Sequence, residues 1–449
     1  MQKRWIILFV ALLSVSFLGL FYSGHEGVFT DIDPNLNFAD IAWMITATIF
    51  VLMMTPGLSF FYGGMVRSKN VISTMLQSFI AMGVISVIWV VVGFSLAFGE
   101  DIGHFIGNPG TFFMFVNVGG TTDKLLAPTI PLALYALFQM KFAIITPSLI
   151  TGSFAERVRF SGYLVFMILF CIFVYCPLAH WTWHPDGFLR QMGVLDFAGG
   201  IVVHASSGVA ALAGAIFLGK RKESGQPANI PFVLLGAAML WLGWFGFNAG
   251  SSLAANAVAV KAFLNTNTAS ATAMMTWVVF DCLRGRKPSA MGAAIGAVVG
   301  LVAITPSAGY VTVGESIFIA LVVTIICNMA VSWKNKKNSF DDALDVFPTH
   351  GVGGIVGTIM TGIFVYNAAE NITYWQNLLN HIIAVVIVCG YTFIVTYALY
   401  WITDKMIPMR VSEKSEKIGL DMSQHDERYG IETNRELAEY FDHGVDTKY

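Results

Sequence analysis

The 449-residue chain is 56% hydrophobic and only 12% charged, with a formal net charge of −2. Soluble globular proteins carry about a quarter of their residues charged, so this balance excludes a soluble fold. No basic cluster is interleaved with stacking aromatics, which excludes a nucleic-acid partner. The five cysteines (Cys171, Cys176, Cys282, Cys327, Cys389) stand singly in apolar stretches. They read as small buried hydrophobes, with neither a disulfide framework nor a zinc site implied.

In chain order, residues 1–23 pair Lys3 and Arg4 with an apolar run from Trp5 to Phe21, the pattern of a signal peptide although no A-x-A cleavage site follows. An uncleaved extra helix is the rival reading, and removal is favoured because the topology below works without it. Eleven further spans are expected, at roughly 41–62, 71–98, 125–152, 160–180, 197–219, 230–253, 262–281, 289–305, 311–333, 346–366 and 378–403. Each is near the ~20 residues that a helix needs to cross the hydrocarbon core. Only helices are expected, because backbone polar groups in lipid must be satisfied within the segment. The chain therefore reads as an all-α polytopic protein, with a membrane domain over 24–407 and a tail over 408–449.

The connecting loops alternate in basic charge. Arg67, Lys69, Arg157, Arg159, Lys220, Arg221, Lys222, Arg284, Arg286, Lys287, Lys334, Lys336 and Lys337 fall in one set, while Lys124, Arg190 and Lys261 fall in the other. By the positive-inside rule the first set faces the cytoplasm, the mature N-terminus lies outside and the tail lies inside. Eleven spans also admit a five-plus-five inverted repeat, about 40–220 and 228–366, with a last helix at about 378–405. Weak internal similarity supports it: GLSFFYGGMVRSKN (57–70) aligns without gaps to GWFGFNAGSSLAAN (243–256), and RVRFS after span three resembles RGRKPS after span seven.

Ionisable groups at bilayer depth are costly and functional by default. His204, in span five, lies eight residues after Asp196; His350, in span ten, lies five residues after Asp345. Spans five and ten are partners in the repeat, so the two histidines are expected to meet near its interface, where transporter sites lie. A satisfied core pair and a metal site compete with a proton-sharing pair. Two histidines without a third ligand make poor zinc coordination, and desolvation disfavours a double cation, so a shared proton is favoured. N-terminal capping accounts for Asp345 and leaves Asp196 open. Lys141 is expected to point away from any cation path, snorkelling or paired.

The segments FYGGMVRSKN, AERVRFS, DFAGGIVVH, GWFGFNAGS, DVFPTHGVGGIVG and RVSEKSEKIGLD, in this order, resemble the ammonium transporter (Amt/Rh) family, bacterial Amt branch, over essentially all of the chain after residue 38. The resemblance implies recruitment of ammonium at Phe138, Trp183 and Ser251, a gate of stacked Phe142 and Phe247, and a pore lined by His204 and His350. Asp196 matches the family's structural or electrostatic acid. It further implies a homotrimer with one pore per subunit in the cell inner membrane. Ammonium or ammonia is the implied substrate, with methylammonium as an analogue, and a PII-type regulatory protein is implied at the cytoplasmic face; no cofactor is expected. From the residues alone, Trp183 reads equally as an interfacial anchor, and the tail as a solvated end.

The rival functions are an ammonium sensor, an Rh-type gas channel and an intramembrane enzyme. The FNAGS and HASSG segments favour the Amt branch over the Rh branch. Ser206 and Ser207 beside His204 do not orient a nucleophile and a base toward a common substrate, and no GxSxG elbow occurs.

Overall fold

A computed structural model describes residues 2–22, 27–29, 32–337, 339–365 and 372–430. Among these, α1 (Gln2–Phe21) covers the amino-terminal apolar run. Eleven helical segments then overlie the eleven expected spans. They are α2 (Phe38–Met65), α3 (Ser68–Phe98), α4 (Leu132–Ile150), α5 (Phe160–Gln191, interrupted near 184–187), α6 (Gly200–Leu218) and α7 (Ile230–Gly250). They continue with α8 (Ala257–Leu283), α9 (Ala290–Ile304), α10 (Val313–Lys337), α11 (347–364) and α12 (Tyr374–Met406). Eight of the eleven are long and apolar enough to cross a membrane by length and composition. The protein is an all-α, multi-pass membrane protein.

Polar side chains just ahead of the apolar runs set the helix starts. Asn37 accepts from the amides of Ala39 and Asp40, Asn229 from Phe232, Asn256 from Ala259 and Ser289 from Gly292. Thr373 and Gln376 form a reciprocal capping box at α12. Each satisfies backbone donors that would otherwise be orphaned at the membrane boundary.

Helices α2 and α7 cross antiparallel through glycine. A Cβ on Gly236 would stand 2.2 Å from the Phe61 amide, one on Gly57 2.9 Å from Met239 Cβ, and one on Gly246 2.5 Å from the Ala47 carbonyl. The segments GLSFFYGG and GWFGFNAGS, aligned above by sequence, thus lie on two helices in direct contact, their backbones brought close by residues without side chains.

At the end of the bundle carrying the basic loops, buried charges tie the loops together. Glu156, only 1% exposed, accepts from the Arg67 amide (2.7 Å), Arg67 Nε (3.0 Å) and Arg221 Nη1 (3.4 Å). Arg221 also makes a forked pair with Asp341 at 2.8 and 2.9 Å. As far as residue 430, the tail does not lie loose in solvent, as a solvated end would. Arg410 donates to the carbonyls of Leu218 and Lys220, at the carboxyl end of α6, and Asp421 accepts from the amides of Ile72 and Ser73, near the start of α3. Both contacts complement the partial charges of helix ends. Residues 431–449, for which a short amphipathic helix or disorder was the expectation, lie outside the described residues.

Two outcomes follow from this packing. Gly236→Val overpacks the α2–α7 crossing by more than a methyl group, and should cost about 1–3 kcal/mol, read as a lower melting temperature in detergent. Partial burial opposes ionisation of Asp341, but its bonds and charge interactions with Arg221 and Arg157 hold the carboxyl down to about 2. Its ionised form therefore stabilises the fold at any pH above about 4, and that contribution is lost as pH falls through the folded value. The melting difference between wild type and Asp341→Asn should be constant from pH 5 to 8 and should narrow below pH 4.

Candidate functional site

The site is a column of rings through the middle of the bundle. Phe138 and Phe142 are one turn apart on α4, with ring centroids 5.0 Å apart. Trp183, at the end of the helical part of α5, meets the Phe142 ring edge-on at 5.8 Å. Phe247 of α7 stacks on Phe142 at 4.1 Å and 23°. Next come the His204 ring, 6.0 Å from Phe247, and the His350 ring, 5.3 Å from His204. All the expected site side chains except Ser251 and Asp196 belong to this column. Ser251 closes α7 one turn beyond Phe247 and donates its hydroxyl proton to the Phe247 carbonyl at 2.8 Å.

The two imidazoles are almost fully buried, at 1% and 3% exposure, with their Nδ1 atoms 3.3 Å apart. At this separation one ring nitrogen can donate a hydrogen bond to the other. His204 Nε2 is buried with no hydrogen-bond partner among the described residues. A narrow cavity passes beside both rings, lined otherwise by apolar and aromatic side chains that include Leu58, Ile145, Leu149, Trp244 and Phe247. Phe61, Tyr62, Leu344 and Thr349 line the space that adjoins His350.

Each histidine sits in a short π-helical turn (Gly200–Ala205, Phe347–Gly351) at the start of its helix, α6 or α11. The free amides at these openings need acceptors. Asp196 supplies them at α6, its two oxygens taking the amides of Gly199, Gly200, Ile201 and Val202 at 2.6–3.2 Å. At α11 the acceptor is Asp342, on the amides of Val346 (3.1 Å) and Phe347 (2.7 Å). The expectation that Asp345 caps this helix is corrected. Asp345 has a positive φ of 59° and turns to Lys334, 2.5 Å away. A carboxylate three residues earlier in the chain has the better approach to the helix opening. Asp196 and Asp342 both stand eight residues before their histidines, a spacing legible in the sequence.

A second shared spacing was also missed. Gly208 and Gly354 both stand four residues after the histidines. A Cβ on Gly208 would lie 2.1 Å from the Gly351 amide, and one on Gly354 2.6 Å from the Gly200 carbonyl and 3.0 Å from His204 Cβ. These glycines let α6 and α11 cross at a distance where the two rings meet. Trp244 escaped notice as well: it stacks on His204 at 5.1 Å and 18°, and its indole donates to Thr305 Oγ1. Trp241 and Trp244 share the same apolar span, and nothing in the sequence set Trp244 apart from packing.

Lys141 is 8% exposed and donates to Met140 Sδ at 3.7 Å, with no carboxylate in ion-pair range among the described residues. Cys171, Cys176 and Cys327 are buried as expected, whereas Cys282 is exposed. Trp183 donates its indole N–H to the Asp196 carbonyl at 2.9 Å, so it is built into the column and is more than a surface anchor.

Multiple apolar spans around a narrow, ring-capped passage define a membrane transport protein in outline, and comparison with known proteins is specific. Residues 42–429 match the Ammonium Transporter Family. The chain is 44% identical over 402 residues to a putative ammonium transporter of Methanothermobacter thermautotrophicus, covering 87% of this chain and 98% of that one. It is 42% identical to an ammonium transporter of Bacillus subtilis, covering 88% and 98%. Among solved structures it is similar to Candida albicans Mep2, with a TM-score of 0.81 at 34% identity over 93% of this chain and 94% of that one. It is also similar to a sensor Amt protein, with a TM-score of 0.80 at 30% identity over 86% and 97%. The chain belongs to the ammonium transporter family.

Proposed function

We propose that this chain takes ammonium at the Trp183 end of the column, removes its proton and passes ammonia along the cavity beside His204 and His350. One observation carries the reading: two imidazoles 3.3 Å apart in an apolar passage closed by stacked phenylalanines.

Ammonium is close to potassium in size, so charge and radius select poorly. Phe138 and Trp183 offer ring faces, each attracting a cation by ~0.5–2 kcal/mol. The Ser251 oxygen, with its own proton committed to the Phe247 carbonyl, retains lone pairs for an N–H that potassium lacks. Past Phe142 and Phe247 the lining penalises any ion, since transfer of an unpaired charge into apolar surroundings costs far more than these contacts return. A base that has given up its proton can continue. His204 Nε2, unpartnered among the described residues, is placed to accept a hydrogen bond or a proton, and the Nδ1–Nδ1 contact provides a route between the rings. Whether the released proton follows by that route or stays outside distinguishes net ammonium from net ammonia transport. On this reading the protein is not an enzyme: nothing is bonded or cleaved beyond the proton.

The rest of the reading comes with the family. The basic loops and tail face the cytoplasm of a bacterial inner membrane, residues 1–23 are removed as a signal peptide, and three copies assemble with one pore each. The basic-end lattice with its docked tail is where a PII-type protein would act. Two half-helices with matching carboxylates at His−8 and glycines at His+4 support a five-plus-five inverted repeat. A sensing role is the second reading, favoured by the likeness to the sensor Amt protein.

Proteoliposomes decide between them. Wild type should carry methylammonium and give an ammonium-evoked current or flux that potassium does not compete for. His350→Ala should abolish transport or let potassium through, and His204→Asp should alter the selectivity. Unchanged, potassium-excluding transport in both variants would reject the proton-handling role. Ammonium binding without flux in wild type would favour the sensor.

A further inference from the structure

Outside the column, at the start of the last span, another histidine lies fully buried. His381, on the second turn of α12, is 0% exposed. Its Nδ1 lies 2.8 Å from the Asn377 carbonyl, which can only accept, so Nδ1 carries the proton. Its Nε2 lies 3.1 Å from the Leu195 amide, which can only donate, so Nε2 is unprotonated. The two contacts together require one tautomer and a neutral ring.

The peptide held in this way is a junction. Leu195 is followed by Asp196, whose carboxylate takes the four amides that open the His204 helix and whose carbonyl takes the Trp183 indole. The surrounding contacts fix the ring against this junction. Gly362 of α11 backs it so closely that a Cβ there would lie 3.1 Å from His381 Cγ, and Asn380, one residue before it, donates to the Met192 carbonyl. The groups that face the ring are the Asn377 carbonyl on its own helix, the Leu195 amide from the junction and Gly362 from α11. Asp196, the adjacent carboxylate, spends its oxygens on the helix opening. Among the described residues no carboxylate or cation contacts the ring.

We propose that His381 is a positioning residue for the ammonium entry site. Its unprotonated Nε2 holds the Leu195–Asp196 peptide, and through that peptide both the Trp183 indole and the His204 helix. Acid on that side of the membrane converts the acceptor into a donor facing a donor, releases the junction and weakens recruitment. The inference rests on the ammonium-conducting reading above and adds to it a pH-sensitive brake at the entrance.

The test measures radiolabelled methylammonium uptake into proteoliposomes of the full chain, with the interior buffered and the exterior set between pH 5 and 8. His381→Leu removes the acceptor and leaves a buried amide unpaired, so KM should rise about tenfold at every pH with a smaller change in Vmax. His381→Gln supplies an acceptor that does not titrate. It should restore KM near pH 7.5 and abolish the part of the acid-side rise in KM that is peculiar to wild type. A Gln variant with the wild-type acid profile, or a Leu variant with the wild-type KM, would overturn the proposal. If His381→Leu fails to fold, the Gln profile decides alone. Absence of uptake by wild type would instead refute the transport reading itself.

Discussion

The site depends on two helices that start in the protein interior, where no water reaches their free amides. A continuous span would satisfy its own amides and carry its side chains past the bilayer centre at fixed pitch. Helices α6 and α11 each open within the protein, and each opening leaves free amides that hydrocarbon cannot solvate. A carboxylate eight residues before each histidine supplies the missing acceptors. Burying Asp196 and Asp342 is tolerable because each finds several N–H donors and the positive end of a helix. That local solution fixes the starts of α6 and α11, and glycines at His+4 let their backbones approach to the separation at which two imidazoles can exchange a hydrogen bond. The twin-ring contact is thus the last step in a chain that starts with capping.

Much of this was legible before any coordinates. Composition placed the chain in the bilayer, and the loop charges separated its two ends. The eleven apolar runs correspond to eleven helical segments, within a few residues at most ends. The histidines stood out because an ionisable residue in an apolar run has few bland explanations. The misreadings have a common cause: periodic reasoning assumes regular helices. A π-turn shifts the register, so Asp345, the nearer carboxylate, looked like the cap, while Asp342 holds that place. Asp342 sits ahead of the apolar run and read as loop. Trp244 and His381 were invisible for a different reason. Each takes its meaning from a partner far away in the sequence, Thr305 and His204 for one, Leu195 for the other.

The basic end follows the same economy on a larger scale. Arginine and glutamate side chains there are too buried to be simple topology signals. Glu156 binds loops that follow α2 and α6, Asp341 adds the loop before α11, and the tail closes over them through Arg410 and Asp421. Breaking one member of such a lattice leaves another charge buried and unpaired, which is more costly than the loss of one exposed pair. The same basic residues that mark one end of the chain in the sequence also weld its loops and seat its tail.

Selectivity in such an architecture comes from arrangement, because no single contact is strong enough. Each aromatic face attracts ammonium and potassium alike, and a hydroxyl distinguishes them by one hydrogen bond, about 1 kcal/mol in net terms. A few such contacts in series would separate the two ions by one or two orders of magnitude at most, since each factor of ten costs 1.4 kcal/mol. An apolar passage behind a stacked gate changes the scale of discrimination, because it taxes charge itself. Only a cation that can become neutral avoids that tax. On the proposed reading the proton leaves at this point, and the buried pair His204 and His350 lies directly behind the stacked rings of Phe142 and Phe247.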